Sequence, residues 1–351
     1  MLSLHVWGSY SQSDKNGSDI SIISPECVAS SWLLVDRLGD QEDVKYEIVT
    51  SSNTNLSDIG KLPVLITAES KFHGFNEISG YLFQNFQSSS ASRTVATAEL
   101  THKQQLINSG LLAHLQHKIE YINQYNLYIN TKNYEKYTRK LFQHYLPFPM
   151  MYNQPLKFYN HAQTQIQVLG LNKNKTGFFD FSGNIQDDVA ETELVNEGED
   201  DEDEKDEVAL SALHERQLLA KSKEKSMLRE SKNSLKCLQL LDGYLTFFLK
   251  LSDQSTANGG EYGYLFSGKG ASSSEVLLFA YIYCLTHQDL PDRFIYNLLR
   301  IKRAKFLEFA DGHSQKWNDQ LLESDVLRAP TGEETPGLWN EIKYRSGFVK
   351  Y

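Results

Sequence analysis

The sequence predicts an α+β protein, a small α/β module at the N-terminus followed by an all-helical domain. Three observations predict it. Within residues 1–87, short β-prone runs alternate with two helical stretches, and one strand is led by a proline. From about Glu99 onward, apolar residues recur at spacings of three and four, the period of a half-buried helix. Helix-start signals stand where this scheme needs them, Ser24-Pro25 in the first module and Ser272 with Glu275 in the second.

Leu4–Trp7 (LHVW) is the first strand, and Ile20–Ile23 is a second strand or an extension of the first after a polar loop. Ser24 is an N-cap, Pro25 takes the first helical position, and the helix CVASSWLLVDRL ends at Gly39. Lys45–Val49 alternates as a half-buried strand does, Val64–Ile66 follows Pro63, and Asn76–Phe86 is a helix. This order is that of a thioredoxin-like domain, residues 1–87.

The first part of the helical domain covers residues 98–169, with Leu112, Leu115, Ile119 and Ile122 on one helical face. An acidic insertion, residues 170–207, has little to bury and reads as disordered or extended. The second part, residues 208–326, resumes with helices at Ala209–Arg229 and Leu235–Leu251. In the latter, Leu235, Leu238, Leu241, Leu245 and Phe248 line up. Further helices follow at Ser273–Leu285 and about Asp292–Phe309. Residues 327–351 hold Pro330, Pro336 and three glycines and are expected to be an irregular tail.

Composition narrows the function. With 351 residues, 40% hydrophobic and 12% aromatic, the chain can bury a sizeable core. Its net charge of −10 is concentrated: Asp187 to Glu207 holds 13 acidic residues and one lysine. The remainder is near neutral, which argues against nucleic acid as a partner. Cys27, Cys237 and Cys284 are too few and scattered for a disulfide framework or a zinc site, and suit a reducing compartment. The first 36 residues carry one lysine, Lys15, among four acids, unlike a signal or transit peptide. The longest apolar run, Val276 to Leu285, is about half of what spans a bilayer, so a soluble or peripheral protein is expected.

A thioredoxin-like module followed by helices is the glutathione-transferase-like architecture. Lys61-Leu62-Pro63-Val64-Leu65 resembles that fold's strand with a cis-proline, which gives Pro63 a structural role. Tyr264–Tyr281 resembles the loop and capping box that start its buried sixth helix, with Ser272 and Glu275 as the box. Its enzymes need a hydroxyl or thiol near the end of the first strand and an acid–serine pair opening the helix after the proline strand. Gly74 and Phe75 stand where that pair should be, and the Phe75 ring is expected to occupy the site. Ser9, Tyr10 and Ser11 lie in a loop. Cys27, in a first helical turn, reads more readily as packing than as a reactive thiol.

No catalytic, cofactor or metal site is assigned. Gly263–Gly270 has the spacing of a phosphate loop but lacks the following Ser/Thr and a preceding strand. His114, His117 and Glu120 share helical spacing and read as a solvated face.

The segment Asn130–Asn153 (NTKNYEKYTRKLFQHYLPFPMMYN) is the most informative. Tyr134, Tyr137, Leu141 and Tyr145 predict an apolar helix face, Lys132, Lys136, Arg139 and Lys140 a basic one, and Pro147 and Pro149 a stop. The string Thr131–Tyr134, Thr138–Lys140, Pro147–Pro149 (TKNY, TRK, PFP) resembles the signature of the metaxin family, including its fungal members in the mitochondrial sorting and assembly machinery. Leu4–Gly8, Ser52–Ile66 and Ser272–Tyr281 extend the resemblance.

The resemblance implies a non-catalytic scaffold of the complex that assembles β-barrel proteins, held peripherally on the cytosolic face of the mitochondrial outer membrane. Its implied partners are the β-barrel core subunit, a second metaxin-like subunit and β-barrel precursors, with outer-membrane translocase receptors as a further class. Two other readings stay open, a glutathione-transferase-like enzyme and a generic transferase-like interaction module. Lys132, Lys136, Arg139, Lys140, Tyr145, Phe148 and Tyr152 are candidate partner-binding residues. The competing reading packs Phe148 and Met151 under neighbouring helices.

Overall fold

Ser24 turns the chain from a strand-rich entry into a helix. Its backbone is extended, its Oγ accepts the Cys27 N–H at 3.3 Å, and Pro25 fills a position whose N–H would have no partner. Helix α1 (Pro25–Leu38) follows, and every residue in it except Glu26 is buried. A helix so fully buried is enclosed on all sides, its polar Ser30, Ser31, Asp36 and Arg37 included. The computed structural model describes residues 1–10, 19–41, 43–86, 92–171, 212–255, 263–266 and 270–346.

α1 shares its core with a five-stranded sheet. Its strands are β1 (Leu2–His5), β4 (Tyr46–Val49), β5 (Val64–Ile66), β6 (Lys71–His73) and β7 (Leu327–Arg328), in the order β6-β5-β1-β4-β7. β1 runs parallel to β4 and antiparallel to β5, which sets Leu4 between Ile48 and Leu65, all three fully buried. β2 (Gly8–Ser9) and β3 (Asp19–Ile20) form a separate ribbon, where Ile20–Ile23 was expected as one strand. Helix α2 (Gly74–Asn85) starts two residues before the predicted Asn76.

The expected irregular tail instead opens with an edge strand of this sheet. β7 pairs in parallel with β4, Leu327 opposite Ile48. Arg328 then grips Glu47 and Glu334, each at 2.7 Å. The chain continues into a helix at Leu338–Arg345, where Glu341 accepts a hydrogen bond from Asn55. A two-residue strand has no periodicity to read, and its partner lies far away in sequence.

The helical domain opens at α3 (His102–His114), capped reciprocally by Thr101 and Gln104. The backbone stays helical through a π turn at Leu115–Ile119, α4 (Glu120–Gln124) and a second π turn at Tyr125–Ile129. After extended Asn130 come α5 (Thr131–Asn133), a third π turn at Tyr134–Thr138 and α6 (Arg139–Tyr145). α7 (Met150–Val168) follows. α8 (Ala212–Ser255) is one helix of 44 residues where the sequence predicts two, about 66 Å at 1.5 Å per residue. α9 (Ser273–Thr286), α10 (Phe294–Lys302) and α11 (Ala304–Glu323) complete the domain. Residues 172–207, most of the predicted acidic insertion, lie outside the described residues.

The apolar run Val276 to Leu285 lies inside α9, a helix buried along almost its whole length. Among the described residues no helix is long and apolar enough to cross a membrane.

The two modules share one core. Trp32 of α1 stacks on Trp317 of α11 at 5.4 Å, and its indole N–H donates to Asn318 at 2.7 Å. Asp36 fixes the connection between them, accepting from Ser92 Oγ, the Arg93 N–H and Thr94 Oγ at 2.7 to 3.0 Å. The mixed α/β module and the helices that cover it have the glutathione-transferase-like form the sequence predicts.

Candidate functional site

A cleft of about 440 Å³ opens where an enzyme of this architecture would hold its substrate. Its lining comes from the Leu62–Pro63 loop, whose peptide bond is cis, and from α1, α4 and α7 with the π turn between α3 and α4. The start of α2 shows how the site has changed. Gly74, at φ +67°, donates its N–H to the Pro63 carbonyl at 3.0 Å. The next N–H, of Phe75, donates to Glu26 Oε2 at 3.4 Å, and Gln116 Nε2 holds the other oxygen of Glu26 at 2.8 Å. A carboxylate from α1 thus sits at the helix N-terminus, where the positive end of the dipole would draw a substrate carboxylate.

The sequence placed the Phe75 ring in this site, and the structure corrects that. Phe75 is fully buried in the core, and the residue filling the position is Glu26. Cys27 is sealed, and burial pushes its thiol up to about 12, the opposite of activation. Ser9, Tyr10 and Cys27 lie outside the cleft lining, and Ser11 lies outside the described residues.

Of His114, His117 and Glu120, only His117 is exposed as the expected solvated face requires. His114 packs against the rings of Tyr244, Phe247 and Phe248, and burial lowers its pKa. His117 and Glu120 line the cleft. Glu120 is half-buried in the cleft wall, and desolvation there raises its carboxyl to about 7. The π turn is the cause: it adds a residue to one helical turn, rotating the side chains after it by roughly 100°. No His/Cys/Asp/Glu cluster able to hold a metal occurs among the described residues.

The phosphate-loop spacing at Gly263–Gly270 serves another end. Glu275 accepts from the Leu265 N–H at 2.6 Å and from the Ser272 N–H and Oγ at 2.8 Å each. One buried carboxylate thereby caps α9 and pins the loop before it. Ser267, Gly268 and Lys269 lie outside the described residues.

The signature segment divides into an inner and an outer part. Asn130 caps α5, its Oδ1 accepting the Asn133 N–H at 3.2 Å while its Nδ2 donates to Asp292 at 2.9 Å. Asn133, fully buried, donates from Nδ2 to Asn126 Oδ1 at 2.9 Å and to the Asp292 carbonyl at 3.2 Å, and its Oδ1 accepts the Asp292 N–H at 2.7 Å. Thr138 Oγ donates to the Leu127 carbonyl at 2.8 Å, and the Thr131 N–H donates to Glu230 at 2.9 Å. The asparagines and threonines of the string therefore staple α5 to the preceding helix, to α8 and to the loop before α10.

The outer part carries the cations and two aromatics. Lys132, Lys136 and Lys140 are exposed, and Arg139 is half-buried. The fully enclosed stripe is Tyr134, Thr138, Phe142 and Leu146, so the predicted face of Tyr137, Leu141 and Tyr145 is only half-buried. Tyr145 is spent on the interior: its hydroxyl reaches Ser21, and burial raises its pKa. Phe148 is 74% exposed and Tyr152 42%, with ring centroids 6.2 Å apart, edge to face. Phe148 thus does not pack under neighbouring helices, whereas Met151 does rest against the core.

Spacing alone missed Glu26 and Gln124 and read Glu120 as solvated; for Glu120 and Gln124 the one available signal was a charged or amide residue beside Ile119 and Ile122, which face inward. Residues 27–159 match the family model Tom37, described as an outer mitochondrial membrane transport complex protein. Residues 189–348 match the model of the Tom37 C-terminal domain. No curated protein matches the chain.

Proposed function

Because the chain belongs to the Tom37 family of outer mitochondrial membrane transport complex proteins, the metaxin-like family its signature resembles, we propose that it acts there as a non-catalytic scaffold. The complex is the one that assembles β-barrel proteins. The chain sits peripherally on its cytosolic face, against the β-barrel core subunit and a second metaxin-like subunit. It steadies them while precursors fold and leave, and outer-membrane translocase receptors are its further contacts.

One observation carries the non-catalytic part: Glu26 occupies the helix N-terminus that a substrate carboxylate would need. The sealed, unactivated Cys27 agrees with it. The docking surface is drawn from the residues the signature leaves outside, the basic row Lys132, Lys136, Arg139 and Lys140 with the Phe148–Tyr152 pair as aromatic anchor. Pro63, Ser272 and Glu275 serve the fold beneath it.

Mitochondria depleted of the chain should assemble an imported β-barrel precursor slowly, and a Cys27→Ser chain should restore the rate fully. Failure of Cys27→Ser to restore assembly, with the protein folded and present at normal level, would reopen the enzyme reading.

A further inference from the structure

We infer that the cleft beside the Leu62–Pro63 loop binds an organic cation, an ammonium or guanidinium group carried on a slender apolar stem. The inference stands apart from the assembly role. Its basis is a mismatch between acceptors and donors. Glu120 contributes a half-buried carboxylate to the cleft lining. Two amides turn their N–H groups to it, Gln124 at 2.5 Å and Asn123 at 3.4 Å, and the buried Tyr281 hydroxyl stands beside it. That leaves Gln124 Oε1 and Asn123 Oδ1 sealed from solvent with no donor. Flipping either amide would set its oxygen against the carboxylate, so the orientation is forced.

Among the described residues no lysine, arginine or histidine reaches Glu120. Glu26, the second carboxylate of the lining, is already used by the Phe75 N–H and Gln116. A half-buried carboxylate beside sealed, orphaned amide oxygens is short of one positive, donor-rich group. An ammonium brings three N–H donors and a guanidinium five. Trp7, Tyr121, Tyr128 and Phe158 supply ring surface for the stem and for a cation. Anionic guests such as phosphates would meet two carboxylates. The raised Glu120 carboxyl fits this account, a proton standing in for the guest.

Binding is measured by calorimetry on the full-length chain with two cationic probes. Agmatine represents a free guanidinium, and acetyl-arginine methylamide an arginine side chain within a peptide. Acetyl-norleucine methylamide is the uncharged counterpart, and glutathione the competing ligand class. A cationic probe should bind, Glu120→Gln should weaken it at least about tenfold, and Gln124→Met should weaken it several-fold. Agmatine binding better marks a free small cation, and the peptide probe binding better marks a basic segment of a partner.

Affinity should also rise about tenfold between pH 6 and pH 8 as Glu120 loses its proton. The groups facing Glu120 are Glu26 of α1, Tyr128, and Tyr281 and Cys284 of α9. The three phenol and thiol groups are raised by burial and stay neutral through this range. Exposed His117, His161 and Lys61 also line the cleft, so a His117→Gln/His161→Gln variant should keep the profile. Four results would overturn the inference: no cationic probe binding at about 10 mM, norleucine binding as well as arginine, binding indifferent to Glu120→Gln, or glutathione binding most tightly.

Discussion

Asn133→Ala tests whether the signature string is first an internal staple. The substitution removes three side-chain hydrogen bonds, at 2.7, 2.9 and 3.2 Å. Two of them end on the backbone of Asp292, which is half-buried, so water compensates part of the loss. Each such bond contributes about 1 kcal/mol net. The third ends on Asn126 Oδ1 in a fully buried residue, where a lost donor costs about 1–3 kcal/mol. The total is about 3 kcal/mol. Asn133→Asp should be at least as harmful, because it sets a carboxylate against Asn126 Oδ1 and the Asp292 carbonyl. Lys136→Ala, exposed on the same segment, should stay within about 0.5 kcal/mol. Urea unfolding followed by tryptophan fluorescence reads this directly, since Trp7, Trp32 and Trp317 are buried. An Asn133→Ala protein within about 0.5 kcal/mol of the parent would refute the reasoning.

Glu120→Gln should stabilise the fold at pH 8 by about 3 kcal/mol, from a carboxyl raised from 4.5 to about 7. A raised carboxyl favours folding below its unfolded value and disfavours it above, so the gain should appear between about pH 4.5 and 7 and vanish in acid; equal gain at pH 4 and pH 8 would contradict it. Arg328→Ala should release β7 and speed exchange of the Ile48 N–H, which is bonded to the Val326 carbonyl at 2.8 Å. Burial works against the charge on Glu334, but its bonds with Arg328 win and hold its carboxyl at about 2, so the clamp should persist above about pH 4.5 and fail as pH falls toward 2. Charge reversal at Lys136 and Arg139, or Phe148→Ser, should reduce assembly into the native complex several-fold on blue-native gels without moving the urea midpoint; normal assembly in both would remove this surface from the account.

The features legible in the sequence were those decided locally. Ser24 with Pro25, Ser272 with Glu275 and the proline ahead of Val64–Ile66 act through backbone geometry and bonds a few residues long, and the structure places all three as expected. β7 could not be read, because its stability comes from β4 and from Glu47, far away in the chain. The π turns defeated face assignments in another way. Each offsets the helical register, so Glu120 turns inward against the pattern, and the buried stripe of α5–α6 falls at Tyr134, Thr138, Phe142 and Leu146. The signature string looked arbitrary in sequence because its asparagines bond across loops that spacing does not bring together.

The most direct measurement is native co-isolation of the tagged chain from mitochondria solubilised in mild detergent, with its companions identified by mass spectrometry. The expected result is recovery of the outer-membrane β-barrel core subunit together with a second metaxin-like subunit in one complex. A chain recovered alone, or retained on glutathione resin without them, would contradict the scaffold account.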